Sequence, residues 1–356
     1  MTLGSPRRAV VEALCRATAH APILLAFATI YLVWGSTYLA IAVAVETLPP
    51  FLMVAVRMLV AGGLLYGFAR CRGEAAFTRA EWKSAAVTAA LLFVGGYGVI
   101  AWAEQEVASG VTALLGTTSP LWLVLIQWGR GGGAPRRRTW AGLLLGTAGV
   151  ALLLTGTPGI GITQVVPMLA VLFASLLWAA GSLRASAQRK NGSAVRTAGA
   201  EMLIGGWLLL GIGLALGEWQ RVSVEALTTE ALLALGYLTL FGSVAAFTAY
   251  RWLLERVQPS LVATHSYVNP LIALVLGWAV LQEPLGTGVL VSAIAIVGAI
   301  ALLKHGSGRA ATAGAGPTGQ VESSTPLQVD AATPVPARAG VRRRRSGGAR
   351  RRPAAA

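Results

Sequence analysis

Long apolar runs recur along this chain, and they limit what it can fold into more than any other feature. Read from one polar break to the next, they fall at roughly 22–45, 51–69, 84–103, 107–129, 139–156, 164–184, 197–217, 230–252, 260–282 and 285–303. A helix rises about 1.5 Å per residue, so about 20 apolar residues span a bilayer core about 30 Å thick. The connections between the runs are too short to hold a soluble domain. Charged residues make up 12% of the chain and mean hydropathy is +0.65, whereas a soluble domain carries about a quarter charged residues. The first run is too long for a cleavable signal and leads straight into another span. The expected fold is an all-α polytopic membrane protein of ten transmembrane helices.

A net charge of +15 raises the question of nucleic acid, and its distribution answers it. Residues 306–356 hold nine arginines against Glu322 and Asp330, and the remaining excess is scattered over short connections. No folded unit offers a basic face with interleaved aromatics, so no nucleic-acid partner is expected. With a cytoplasmic N-terminus, all but two of the 29 basic residues lie on the cytoplasmic side; the exceptions are Arg57, inside a span, and Arg221. Cytoplasmic loops carry the excess of Lys and Arg, so both termini are expected inside the cell and the number of crossings even. Trp82, Trp102, Trp128, Trp140, Trp219 and Trp252 fall at run ends, where amphipathic rings settle among headgroups. Cys15 and Cys71 are too few and too far apart for a disulfide framework or a metal site.

The two halves of the chain match each other. Trp34 and Arg57-Met58-Leu59 meet Trp178 and Glu201-Met202-Leu203 at an offset of 144. Val107, Ala113 and Pro120 meet Val257, Ala263 and Pro270 at 150, while Pro135 and Gly149 meet Pro284 and Gly298 at 149. Five spans per half force the second half to enter the membrane from the opposite side, giving two inverted five-helix repeats with a substrate site between them. The expected organisation is a cytoplasmic segment 1–21, repeats at 22–156 and 157–304, and a disordered basic cytoplasmic tail at 305–356. The arginines of that tail either attract anionic lipid headgroups or stay solvated without a role.

Several stretches resemble a known family. They are Tyr31-Leu-Val-Trp-Gly-Ser-Thr-Tyr38, Glu46-Thr-Leu-Pro-Pro50 leading to Arg57, Trp102-Ala-Glu-Gln-Glu-Val-Ala-Ser-Gly110, and the run from Leu114 through Pro120 to Trp122. Pro259-Ser-Leu-Val-Ala263, Tyr267-Val-Asn-Pro270 and Glu283-Pro284 continue the likeness in the second half. Over residues 23 to 303 the chain is similar to EamA-type transporters, nearest to the drug/metabolite exporters of the inner membrane. The resemblance implies ten helices, cytoplasmic termini and efflux of amino acids, metabolites or drugs. One departure breaks the internal symmetry: Glu283 precedes Pro284, but Ala134 stands before Pro135.

Charged side chains inside a membrane cost about 2.5–3.5 kcal/mol even on a lenient scale and usually face a cavity. Arg57 and Glu201 are the two strongest cases. Each lies about 10 Å into its span, one from each face, so their heights differ by roughly 10 Å and a permanent ion pair between them is not expected. Arg57 suits a carboxylate-bearing substrate or a gate, and Glu201 a proton or a cationic amine; the competing reading has both snorkelling or bonded to helix carbonyls. Thr117 and Ser119 before Pro120, and His265, Tyr267 and Asn269 before Pro270, mark helix breaks at corresponding places, which point to a binding site. Interhelical hydrogen bonding is the plainer alternative. His265 joins Glu201 as a proton-coupling candidate. Trp34 and Trp178, with Ser36 and Ser182 nearby, either contact substrate or pack helices. Gly142 and Gly146, and Gly288 and Ser292, allow close helix approach, within one chain or in a homodimer.

No metal-ligand cluster, nucleotide loop or nucleophile–base pair has a recognised spacing, so neither a cofactor nor a metal is expected. The expected function is a proton-coupled secondary exporter of a small molecule in the inner membrane, with lipid and substrate as its partners. A membrane-embedded enzyme or a polytopic sensor or scaffold are the alternatives.

Overall fold

A computed structural model describes residues 6–131, 134–156, 162–188, 193–224 and 227–307. The expected tail lies outside the described residues from 308 onward. All regular structure among the described residues is helical. In chain order we label the helices α1 (Pro6–Val45), α2 (Pro50–Cys71), α3 (Arg79–Ala103), α4 (Ser109–Gly129) and α5 (Arg137–Gly156). They continue with α6 (Ile162–Ala187), α7 (Ala194–Ala215), α8 (Thr229–Leu254), α9 (259–281) and α10 (Thr287–Ser307). Seven of them are long and apolar enough to cross a membrane, namely α1 from Ala21, α2, α3, α4, α6, α7 and α8. α1 starts at Pro6, so its backbone is helical through most of the expected cytoplasmic segment.

Helix ends are set by local chemistry. Pro50, at the first position of α2, gives up an N–H that would be unsatisfied anyway. At the other end Gly73 adopts φ +83°, and the N–H groups of Gly73 and Glu74 donate to Arg70 O and Ala69 O, a Schellman turn. Gly217 ends α7 in the same left-handed conformation (φ +73°). Each turn delivers a glutamate. Glu74 accepts from the N–H and Oγ–H of Ser193, the N-cap of α7, at 2.9 and 2.6 Å. Glu218 accepts from the N–H groups of Phe51 and Leu52, in the first turn of α2, at 3.3 and 2.9 Å. Each of the two helices thus has its N-terminus held by the residue that follows the other. A third carboxylate does the same for α4: Glu283, from the α9–α10 connection, accepts from Ser109 N–H (2.7 Å) and Gly110 N–H (3.1 Å).

α2 packs along α7, and α5 along α10. Glycines make the first approach close. A Cβ on Gly62 would stand 2.8 Å from the backbone nitrogen of Leu203, and one on Gly206 would stand 2.8 Å from Leu59 Cγ. In α5, Gly146 meets Leu121 and Gly149 meets Ile296, so both face neighbours within the chain. The outer surface of the bundle is apolar: Trp207 is 64% exposed and Ile294 74%. Exposed leucines and phenylalanines recur on most helices, which suits lipid and not water.

Two helices depart from α geometry at corresponding places. α3 is π-helical over Ala90–Gly98 and α8 over Leu238–Ala245. π segments are rare and tend to occur at functional sites. Two others are interrupted. α4 breaks at Thr117–Thr118 and resumes with Pro120 at its second position. α9 breaks at Ala263–Thr264, and Pro270 lies inside the continuous piece His265–Leu281. The break expected at Pro270 is therefore six residues earlier; the carbonyl a proline cannot bond is tolerated within a helix when its neighbours supply partners.

Candidate functional site

A cavity of about 60 Å³ lies among α1, α3, α4, α6 and α9. Its walls combine aromatic rings with uncharged polar groups: Trp34, Tyr97 and Trp178 with Ser119, His265 and Asn269. The rings form one cluster. Trp34 meets Trp178 edge-on at 5.6 Å between centroids and His265 edge-on at 5.1 Å. Trp178 in turn lies 5.4 Å from Tyr97 and 5.6 Å from Tyr250. Edge-to-face rings at such spacings attract beyond their buried area and fix each other's orientation.

The irregular backbone is put to use around this cluster. Trp34 Nε1 donates to the carbonyl of Gly242 (3.2 Å), inside the π segment of α8. Tyr97 sits in the π segment of α3. With its amide nitrogen donating to the carbonyls of His265 and Tyr31 (3.1 Å each), Asn269 accepts from His265 Nδ1 through its oxygen at 3.2 Å. That bond places the imidazole proton on Nδ1 and leaves Nε2 as the acceptor of the ring. At the break in α4, Thr118 Oγ1 bonds Ser175 Oγ (2.6 Å), which also accepts from Trp122 Nε1 at 2.9 Å.

The expected site residues divide into two groups. Trp34, Ser119, Trp178, His265 and Asn269 line the cavity. Ser182 lines a smaller one beside it and bonds Tyr250 Oη. Ser36 instead bonds Tyr237 Oη (2.6 Å), and Thr117 bonds its own helix at Leu114 O (2.6 Å). The side chain of Tyr267 lies outside the described residues.

Arg57 and Glu201 stand behind the walls. Arg57 is 1% exposed; its Nε donates to Ser243 Oγ (2.7 Å), and its guanidinium covers the Tyr97 ring at 4.7 Å. Its two terminal nitrogens have no hydrogen-bond partner among the described residues. Glu201 is fully buried and pairs with Arg251 Nε at 3.3 Å. Arg251, counted from the sequence among the residues of a cytoplasmic connection, is in fact buried in α8, where it also donates to Gln188 Oε1 (3.3 Å). Sequence reasoning missed Tyr97, Ser175 and Tyr250, which sit in plain apolar runs. It also missed Glu104, buried at the end of α3. Glu74 and Glu218 were within reach: Gly73-Glu74 and Gly217-Glu218 repeat at the offset of 144 that relates the halves.

A multi-pass helical bundle with an aromatic cavity between its helices has the build of a small-molecule membrane transporter. The model of the EamA-like transporter family matches this chain twice, at residues 21–155 and 166–304, and the chain belongs to that family. It is 35% identical over 289 residues to "Uncharacterized inner membrane transporter YedA" of Escherichia coli K12, covering 78% of this chain and 90% of that protein. It is 24% identical to "Uncharacterized transporter YoaV" of Bacillus subtilis, covering 77% and 94%. A solved crystal structure superposes with a TM-score of 0.58 at 21% identity, covering 78% of this chain and 94% of the other, a likeness of fold.

Proposed function

We propose that this membrane transporter is a secondary exporter that moves a small amphipathic molecule by alternating access through the aromatic cavity. The observation that carries this reading is the lining: four large rings, one histidine, several hydroxyl groups and one amide, with no Lys, Arg, Asp or Glu among the residues that form it. Such a wall suits a neutral or zwitterionic solute with an apolar face, such as an amino acid or a related metabolite, better than a polyanion. Ten crossings in two inverted halves, with both termini cytoplasmic, belong to the proposal; the match of the family model to each half supports it. On this orientation the α1–α2, α3–α4, α7–α8 and α9–α10 connections face outward.

The driving ion in this reading is the proton. Glu201 is its acceptor near the cytoplasmic side, where Arg251 competes for the carboxylate, and His265 is an acceptor within the cavity. Counterflow in proteoliposomes tests transport itself, with labelled neutral amino acids and aromatic amines as probes. Exchange is expected for at least one probe and should fall more than about tenfold in Trp178→Ala, which removes a wall of the cavity. Exchange that is unchanged in Trp178→Ala would overturn the assignment of the cavity. Glu201→Gln should keep that exchange but lose uphill efflux driven by a pH difference; a variant that still builds a gradient would remove Glu201 from coupling.

A further inference from the structure

Where α3 meets α4, at a connection that the proposed orientation turns outward, lies a group of side chains that the proposed cycle has not used. Glu104, the residue that ends α3, is 7% exposed, and neither carboxylate oxygen has a hydrogen-bond partner among the described residues. The hydroxyls of Ser109 and Thr112, at the start of α4, are fully buried and likewise without partners. Glu283 caps α4 at Ser109 and Gly110. Its carboxylate lies against Gly277, where a Cβ would collide with it and come within 2.9 Å of Ser109 Oγ.

A buried carboxylate without a partner is too costly to persist as an anion. Glu283 accepts two backbone N–H bonds, and it acts on Glu104 as a like charge. Among the described residues Tyr38 of α1, which also lines the cavity, faces Glu104 as well. Residues 50–56 of α2, 163–178 of α6, 268–281 of α9 and 287–296 of α10 contain no titratable side chain. No cation offsets the two acids from these stretches.

We propose that Glu104 is the outward-facing proton-binding site of the transporter and that its protonation holds the outer end of the cavity shut. With Glu104 neutral, Glu283 keeps its two bonds to α4, and the α9–α10 connection is fastened across the outer mouth. When Glu104 loses its proton, two anions share one desolvated place, and repulsion drives Glu283 off the α4 terminus. The proton moves from solvent to a carboxylate oxygen of Glu104 and back, with no other bond changed. Burial, with Glu283 beside it, holds Glu104 well above the usual carboxylate range.

The inference rests on the transport reading for its role, but its test needs no substrate. In a Cys15→Ser/Cys71→Ser background, Ala174→Cys places a thiol on the cavity wall. Val224→Cys, 82% exposed on the α7–α8 connection, provides the reference. The rate of reaction with a membrane-impermeant maleimide, taken relative to that reference, should fall about tenfold from about pH 8.5 to about pH 5.5. Glu104→Gln should be slow at every pH, Glu283→Gln fast at every pH, and Glu104→Asp should keep a pH-dependent rate. A parent rate without pH dependence, or a Glu104→Gln rate that follows the parent curve, would overturn the proposal. So would a rate that responds to exchanging sodium for potassium at fixed pH, which would make the site a metal-cation site. Absence of counterflow together with pH-gated labelling would instead sink the transport reading and leave this one standing.

Discussion

Arg57 and Arg251 are both buried in the bundle, yet their surroundings differ. Arg57 has one hydroxyl and the face of one ring, whereas Arg251 has a carboxylate and an amide oxygen. Removing one member of a buried ion pair typically costs about 3–5 kcal/mol, because the other is left charged and dry. Arg251→Met should therefore lower the melting temperature in detergent sharply, and Arg251→Met with Glu201→Met should recover most of the loss. A double variant as unstable as the single one would show that the pair is not coupled. The charge swap of Arg57 and Glu201, by contrast, should rescue nothing, since neither is the partner of the other. The sequence placed Arg57 and Glu201 inside spans as charges expected to face a cavity, and both are buried outside the lining of this one, while it assigned Arg251 to a connection. A basic residue near a helix end reads the same whether it reaches out to headgroups or inward to an acid on α7.

At the scale of the element, the same contrast holds between patterns that lie along the chain and geometry that needs a neighbour. The helices themselves were legible because their apolar runs are long. The π segments of α3 and α8 were not, since a run that is apolar on all sides carries no phase to betray one extra residue per turn. The interruption in α9 was placed by its proline, yet it lies upstream, where Thr264 Oγ1 bonds Tyr31 Oη of α1 at 2.6 Å. The α2–α7 interface rests on glycines, and Gly62→Leu or Gly206→Leu should separate the pair and leave little folded protein in detergent, while Gly63→Leu, with open space around it, should be tolerated. Size-exclusion profiles of the three variants make the comparison. The capping carboxylates add a pH dependence. Burial raises the pKa of Glu74, but the bonds from Ser193 and the charges of Arg196 and Arg72 outweigh it and hold the group below the usual carboxylate range. Its contribution is therefore present above about pH 4.5 and lost as pH falls through the lower folded value. Glu74→Gln should lower stability by about 1–2 kcal/mol near neutral pH, and the difference from the parent should shrink in acid, as thermal melts at both pH values would show.

For the whole molecule, the repeat was legible because matching residues recur at nearly constant offsets, and the cavity was half legible. Trp34, Ser119, Trp178, His265 and Asn269 could be named because tryptophan, histidine and asparagine stand out in apolar runs. Tyr97 and Ser175 could not, because only the packing of α3 against α6 shows which way they face. Topology is tested by a reporter that works only in the periplasm, fused after Lys304: it should stay silent, and activity there would change the number of crossings.

The crossed glutamates have a consequence for how such a chain is made. A ribosome delivers α2 long before Glu218, so the N–H groups of Phe51 and Leu52 wait more than 160 residues for their acceptor. The first half therefore enters the bilayer with an open helix end that only the second half closes, and the second half arrives with its own end waiting for Glu74, already made. Neither half is finished goods when it leaves the translocon. Expressed apart, each should be short-lived; supplied together as two chains, they should find one another and survive.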